Sequence, residues 1–214
     1  MSLKFRHLIL LLTLAFCAAH AAVDNNKAPE DSDLIGISTP KSPADSQFSV
    51  NQQKRLDMLF TQLAGSEDEN AAKQLIAEIW SIWKDPLDTE LLLQMTQAEQ
   101  FYVRGKRKES FAILDEAIKT YPGYSEVWNQ RATYYYFAGR YEESLADIAK
   151  VLELEPRHFG ALSGKIAILM RENRMESALK TLHQALKINP FMPERRMLLK
   201  KKEESEEKPE GLAI

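Results

Sequence analysis

A chain of 214 residues with 44% hydrophobic side chains can bury one sizeable core. Its formal net charge of -3 leaves no basic excess to hold nucleic acid or an anionic membrane surface, so neither is expected as a partner. With 28% charged residues but only 8 Gly and 9 Pro, the composition favours long helices over a many-stranded sheet, and an all-α fold is expected.

The chain opens with the pattern of an export signal over residues 1–21. Lys4, Arg6 and His7 make a basic head, Leu8 to Phe16 an apolar stretch, and Ala19-His20-Ala21 the small-x-small pattern that a signal peptidase accepts. Cleavage after Ala21 is expected, with an exported and periplasmic mature chain. The apolar stretch is about half of the roughly 20 residues that span a bilayer, so no membrane insertion of the mature chain is expected. The alternative is a lipid anchor through Cys17, because Leu14-Ala15-Phe16-Cys17 partly resembles a lipobox; Phe16, where a small residue is usual, weighs against it. Cleavage after Ala21 removes the single cysteine, and with it any disulfide or thiolate site.

Residues 22–49 are mostly Asn, Asp, Ser, Pro, Lys and Ala with no sustained period, the composition of a disordered linker or tether. Periodicity begins at Val50. Leu56, Leu59, Phe60 and Leu63 form the stripe of an amphipathic helix, which Gly65 ends. Ser66 and Glu69 read as a capping box for a second helix bearing Leu75, Ile76, Ile79, Trp80 and Trp83, stopped by Pro86. Residues 50–86 are therefore expected to form an N-terminal helical hairpin. Its tryptophans are read as core rather than as an aromatic ligand box.

The next segment repeats. Pro122, Pro156 and Pro190 are 34 residues apart, and Gly105, Gly139 and Asn173 step by the same interval. So do Ser110, Ser144 and Ala178; Leu114, Ile148 and Leu182; and Ala117, Val151 and Ala185. Gly or Asn ends a first helix in a left-handed turn, the small residues let a second helix approach, Leu or Ile fills the seam, and Pro ends the pair.

A helix-turn-helix unit of this length with these columns resembles the tetratricopeptide repeat. Residues 125–158 match best, through Trp128, Ala132, Tyr135, Gly139, Tyr141, Ser144, Ile148, Val151 and Pro156. Residues 91–124 match through Ala98, Phe101, Gly105, Leu114, Ala117 and Pro122, with Gln94 in place of the usual aromatic. Residues 159–192 match through Leu162, Leu169, Met175, Ala178, Leu182, Ala185 and Pro190, but carry Ile166 where the family has a small residue that lets the two helices touch. The resemblance implies tandem helix-turn-helix repeats stacked as a short right-handed solenoid. The hairpin would stand as a degenerate repeat ahead of the units, a helix over residues 193–205 would cap the stack, and residues 206–214 would form a flexible tail.

No catalytic residue, cofactor site or metal site is expected, and the chain is read as non-enzymatic. His158 and His183 have no companions at ligand spacing and are read as surface or groove-edge residues; Ser163-Gly164-Lys165 lacks the upstream glycine and strand of a phosphate loop. The resemblance implies a concave face lined by the first helix of each unit. Carried over, that face holds Met95, Glu99, Tyr102 and Val103, then Asn129, Thr133, Tyr136 and Phe137, then Ser163, Ala167, Met170 and Arg171. Such a groove offers apolar contact area and hydrogen bonds to an extended peptide, unless adjoining helices, the cap or the tether bury it. The expected function is a protein-binding adaptor or scaffold of the cell envelope; the alternative is a self-associating component of an envelope assembly, a homo-oligomer.

Overall fold

The computed structural model describes residues 48–197, which fall in the unit spanning Pro40–Ile214. The expected signal, the tether up to residue 47, the capping helix beyond residue 197 and the tail lie outside the described residues. Among these, eight helices follow one another: α1 (Val50–Ala64), α2 (Glu69–Trp83), α3 (Thr89–Val103), α4 (Arg107–Thr120), α5 (Ser125–Phe137), α6 (Tyr141–Leu154), α7 (Phe159–Arg171) and α8 (Met175–Leu186). The described part of the chain is all-helical.

Local chemistry sets the boundaries. The Ser49 hydroxyl accepts from the Gln52 N–H at 3.2 Å while the Gln52 amide oxygen accepts from the Ser49 N–H at 2.9 Å. The capping box is thus on α1. It is not at Ser66 and Glu69 as expected, because Asp68 caps α2 by accepting from the N–H groups of Asn70 and Ala71. Phe48, just before the box, is buried, so the tether's last residues belong to the folded part. Each first helix of a repeat ends in a left-handed residue: Gly105 and Gly139 at φ 78° and Asn173 at φ 58°. A side chain with a Cβ would be strained at the two glycines, and Asn is among the few that tolerate the conformation.

The repeats pair α3 with α4, α5 with α6 and α7 with α8; α4–α5 and α6–α7 contacts join consecutive pairs, and α3, α5 and α7 stand side by side. Within the first two pairs the small columns touch. The Ser110 hydroxyl donates to the Ala98 carbonyl at 2.7 Å and Ser144 to that of Ala132 at 2.8 Å. In the third pair Ala178 has no hydroxyl and Ile166 replaces the alanine, so the seam is wholly apolar; α7 and α8 still pair, with Ile166 fully buried.

The hairpin departs from the expected order. It does not stack ahead of the first repeat: the core around α3 and α4 contains no hairpin residue. Instead Leu56, Leu59, Phe60, Leu63, Ile79 and Trp83 share one core with Leu162, Ile166, Leu169 and Leu182 of the third repeat. The physical reason is visible at two repeated positions. Val127 and Tyr134 of α5, and Ala161 and Ile168 of α7, are buried, whereas the equivalents on α3 are Leu93, 67% exposed, and the polar Gln100. Gln100 offers no apolar surface for another helix to cover, while the third repeat presents bulky Phe159, Leu162 and Ile166 that need covering.

The candidate peptide-binding face

The contact between hairpin and array is aromatic. Trp83 stacks on His158 with centroids 4.1 Å apart, and Trp80 stands edge-on to His158 and Phe159 at 5.5 and 5.6 Å. Phe60 meets Phe159 at 6.3 Å, and Arg157 lies over Phe60 at 4.4 Å while pairing with Asp57 at 2.7 Å. The Tyr124 hydroxyl donates to the Trp83 carbonyl, and burial raises its pKa far above the tyrosine range. Gly160 makes the approach feasible: a Cβ there would lie 2.6 Å from the Trp80 ring.

His158 is accordingly not the surface residue expected from sequence. It is fully buried, and its Nδ1 accepts from the Ala161 N–H at 3.0 Å, capping α7. A nitrogen that accepts carries no proton, so Nε2 holds it and donates to the Glu126 carboxylate at 3.0 Å. Glu126 in turn takes the Asn129 side-chain amide at 3.1 and 3.2 Å. His183 does lie on the surface.

The expected groove residues fall into three groups. At the α7 end, Ser163 donates to the carboxylate of Glu194, Met170 packs on the hairpin core, and Trp80 covers Gly160, so this stretch is occupied by the chain itself. In the middle, Met95 is half-buried against the first core, Asn129 is held by Glu126, and the Thr133 hydroxyl bonds the Asn129 carbonyl at 2.9 Å. Tyr102 stacks on Tyr134 at 3.8 Å, and Tyr136 packs against Phe137 and Tyr141 at 5.5 and 5.7 Å. Burial raises the pKa of both Tyr102 and Tyr136. Toward the helix ends, Glu99, Val103, Phe137 and Arg171 are exposed, Val103 at 78% and Phe137 at 39%; Arg171 lies over Tyr141 at 5.1 Å. Ala167 is half-buried on α7.

Behind this face an ionic brace ties consecutive repeats. Arg131 of α5 bonds both oxygens of buried Asp147 on α6 at 2.8 Å and reaches Asp115 of α4 at 2.7 Å. The Asp147 carboxylate holds the guanidinium above its already high range. Sequence reasoning passed over this triad, since Asp115 and Asp147 lie 16 residues to either side of Arg131 and only the repeat geometry brings them together. Among the described residues no helix is long and apolar enough to cross a membrane.

A family profile described as Tetratricopeptide repeat matches residues 137–201. A TPR repeat-containing protein of Rhizobium etli is 39% identical over 142 residues, 66% of this chain and 70% of that protein. The chain belongs to the tetratricopeptide repeat family. TPR arrays are protein-interaction modules whose stacked helix pairs present an extended binding surface. Among the described residues, the face is exposed at Glu99 and Val103 of α3, Phe137 of α5 and Arg171 of α7.

Proposed function

We propose that the protein is a non-catalytic adaptor of the cell envelope, released into the periplasm by cleavage after Ala21, and that it holds a peptide segment of a protein partner along α3 and α5. One observation carries this reading. The α7 end of the face is filled by the hairpin and by Glu194, while Glu99, Val103 and Phe137 leave the α3–α5 end exposed. An exposed apolar stretch rimmed by polar side chains marks a contact surface.

The test places a photo-crosslinking amino acid at Thr133 or Phe137, with Lys119 on α4 as the control position, in the full chain expressed with its signal. A shared crosslinked partner at the first two positions and none at Lys119 supports the reading; identical products at all three remove it. The mass of the exported chain reads the N-terminus at Ala22, whereas lipidation at Cys17 gives a membrane-bound form lost in Cys17→Ala.

Self-association is favoured by a separate observation, Leu92 and Leu93 exposed at the end of the stack. Light scattering decides: a dimer that Leu93→Glu dissociates establishes it, and a monomer dismisses it.

A further inference from the structure

The turn that joins α3 to α4 carries a charge asymmetry that no ion pair among the described residues offsets. Residues 104–108 include Arg104, Lys106, Arg107 and Lys108, and contain no acid. Among the described residues none of these four, nor Arg171 at the corresponding end of α7, forms an ion pair; by contrast Arg140 pairs with Glu143 and Arg174 with Glu172. Glu109, Glu142, Glu143 and Glu176 lie in the first turns of the second helices, where they complement the helix dipoles.

Aromatic contacts tie these cations to two ring clusters, one at each end of the face. Arg107 lies over Tyr102 at 5.9 Å, Tyr102 stacks on Tyr134 of the next repeat, and Phe137 packs on Tyr136, which meets the Tyr141 ring that carries Arg171. Exposed Val103 adjoins Arg104 in the chain, and exposed Phe137 packs on Tyr136 beside the Tyr141–Arg171 contact. A chain of net charge -3 that concentrates unpaired cations beside exposed apolar side chains presents a complement to an acidic segment with apolar anchors.

We propose that this turn edge docks an acidic peptide segment of the partner protein, its carboxylates against Arg104–Lys108 and Arg171 and its apolar side chains over Val103 and Phe137. This rests on the groove reading above and names the partner's chemistry. A narrow peptide can follow the cations and pass clear of Glu109, Glu142, Glu143 and Glu176, whereas a planar anionic lipid surface would meet those acids as well.

The probe is a fluorescein-labelled peptide of Glu pairs separated by one Trp and one Leu, beside its counterpart with Lys for Glu, titrated against the full mature chain by anisotropy. The acidic peptide is expected to bind and the basic one not to, with affinity falling as salt rises. Arg104→Glu with Arg107→Glu, and separately Arg171→Glu, are expected to weaken binding by about tenfold or more, since like charges then face each other. Lys119→Glu on α4 is expected to change nothing. All four positions are exposed, and circular dichroism checks that the helices persist. Equal binding of both peptides, or binding unchanged by the charge reversals, overturns the proposal. If Thr133→Arg abolishes binding while the reversals leave it intact, the groove reading stands and the edge falls. Binding to phosphatidylglycerol–phosphatidylcholine vesicles in place of the peptide, lost in the same charge variants, also overturns it in favour of a membrane surface.

Discussion

Gly160→Ala tests where the hairpin sits. An ideal Cβ at residue 160 would lie 2.6 and 2.8 Å from two Trp80 ring atoms and 3.2 Å from the His158 ring. Carbon pairs rest at about 3.5–4.0 Å, so the Trp80 ring must retreat by about 1 Å. It has little room, since it stands edge-on to Trp83, His158 and Phe159 at 5.2, 5.5 and 5.6 Å. Overpacking of this kind costs about 1–3 kcal/mol, against a helix-propensity gain of up to about 1 kcal/mol for replacing glycine. A net loss of about 1–2 kcal/mol is expected in urea melts. It should be local: hydrogen exchange rises in α1 and α2, and in a Trp128→Phe background the emission of Trp80 and Trp83 shifts to the red. Gly164→Ala is the internal control, because its Cβ meets only the tip of Ile148 at 3.3 Å, and it is expected to be neutral or mildly stabilising. In a cycle with Trp80→Ala the Gly160→Ala penalty should vanish. A Gly160→Ala protein as stable as its parent, with unchanged emission and exchange, refutes the docking of α2 on α7.

Four further outcomes are expected. Asp147→Ala should cost about 2–3 kcal/mol in urea unfolding, below the roughly 3–5 of a fully buried broken pair because Asp115 still holds Arg131, and Asp115→Ala should cost much less. Ser144→Ala should cost about 0.5–1.5 kcal/mol by thermal melting, the worth of the seam bond to Ala132. Ile166→Ala, although it restores the small residue usual in the family, should cost about 2–5 kcal/mol and loosen the hairpin, because the side chain fills a core shared with α1 and α2. In alkali, burial first and then Asp88 beside it push the Tyr121 hydroxyl up from 10.0 to about 12. The unfolded chain then releases this proton first, so its contribution to stability is full below pH 10 and declines between about 10 and 12, as ellipticity against pH would show; Tyr121→Phe should lessen that decline without abolishing it, because buried Tyr124 and Tyr134 act in the same direction.

The repeats were legible because their signals are local. The left-handed residue, the small column and the proline each act within one helix pair, and their recurrence fixes the stacking of α3 to α8 without long-range information. The hairpin's helices were legible for the same reason, but its seat was not, since an amphipathic stripe states that a face is buried and not against what. The clues lay in departures from the repeat. Gln100 is polar where Tyr134 and Ile168 are buried, which marks the α3 end as terminal. Ile166 is large where Ala98 and Ala132 are small, which marks the third repeat as having an additional neighbour. His158 misled because an isolated histidine carries no sign of burial, although its place immediately before the first helical residue is where an α7 cap would be sought. Of the expected face, Tyr102 of α3 meets α5 through Tyr134, a neighbour at repeat spacing, whereas Ser163 and Met170 met partners that only the returning hairpin and the chain after α8 could supply.

The hairpin's seat and the proposed acidic-peptide contact differ in their physical basis, and salt separates them. Asp57 and Glu69, the hairpin's acids toward Arg157 and Arg195, are exposed, and water and ions screen such pairs. Trp83 is fully buried, and an aromatic of its size removes about 150–250 Å² from water, an upper value of about 4–6 kcal/mol at 25 cal/mol per Å². Its indole N–H has no hydrogen-bond partner among the described residues, so the ring itself is held by packing, while the Trp83 carbonyl accepts from Tyr124. Raising salt weakens a charge-driven ligand at the turn edge and strengthens apolar burial or leaves it unchanged. A titration in molar salt should then release an acidic peptide while the emission of Trp80 and Trp83 stays constant. Simultaneous loss of both signals would mean that the hairpin and the edge respond as one element, and that the hairpin's seat depends on charge after all.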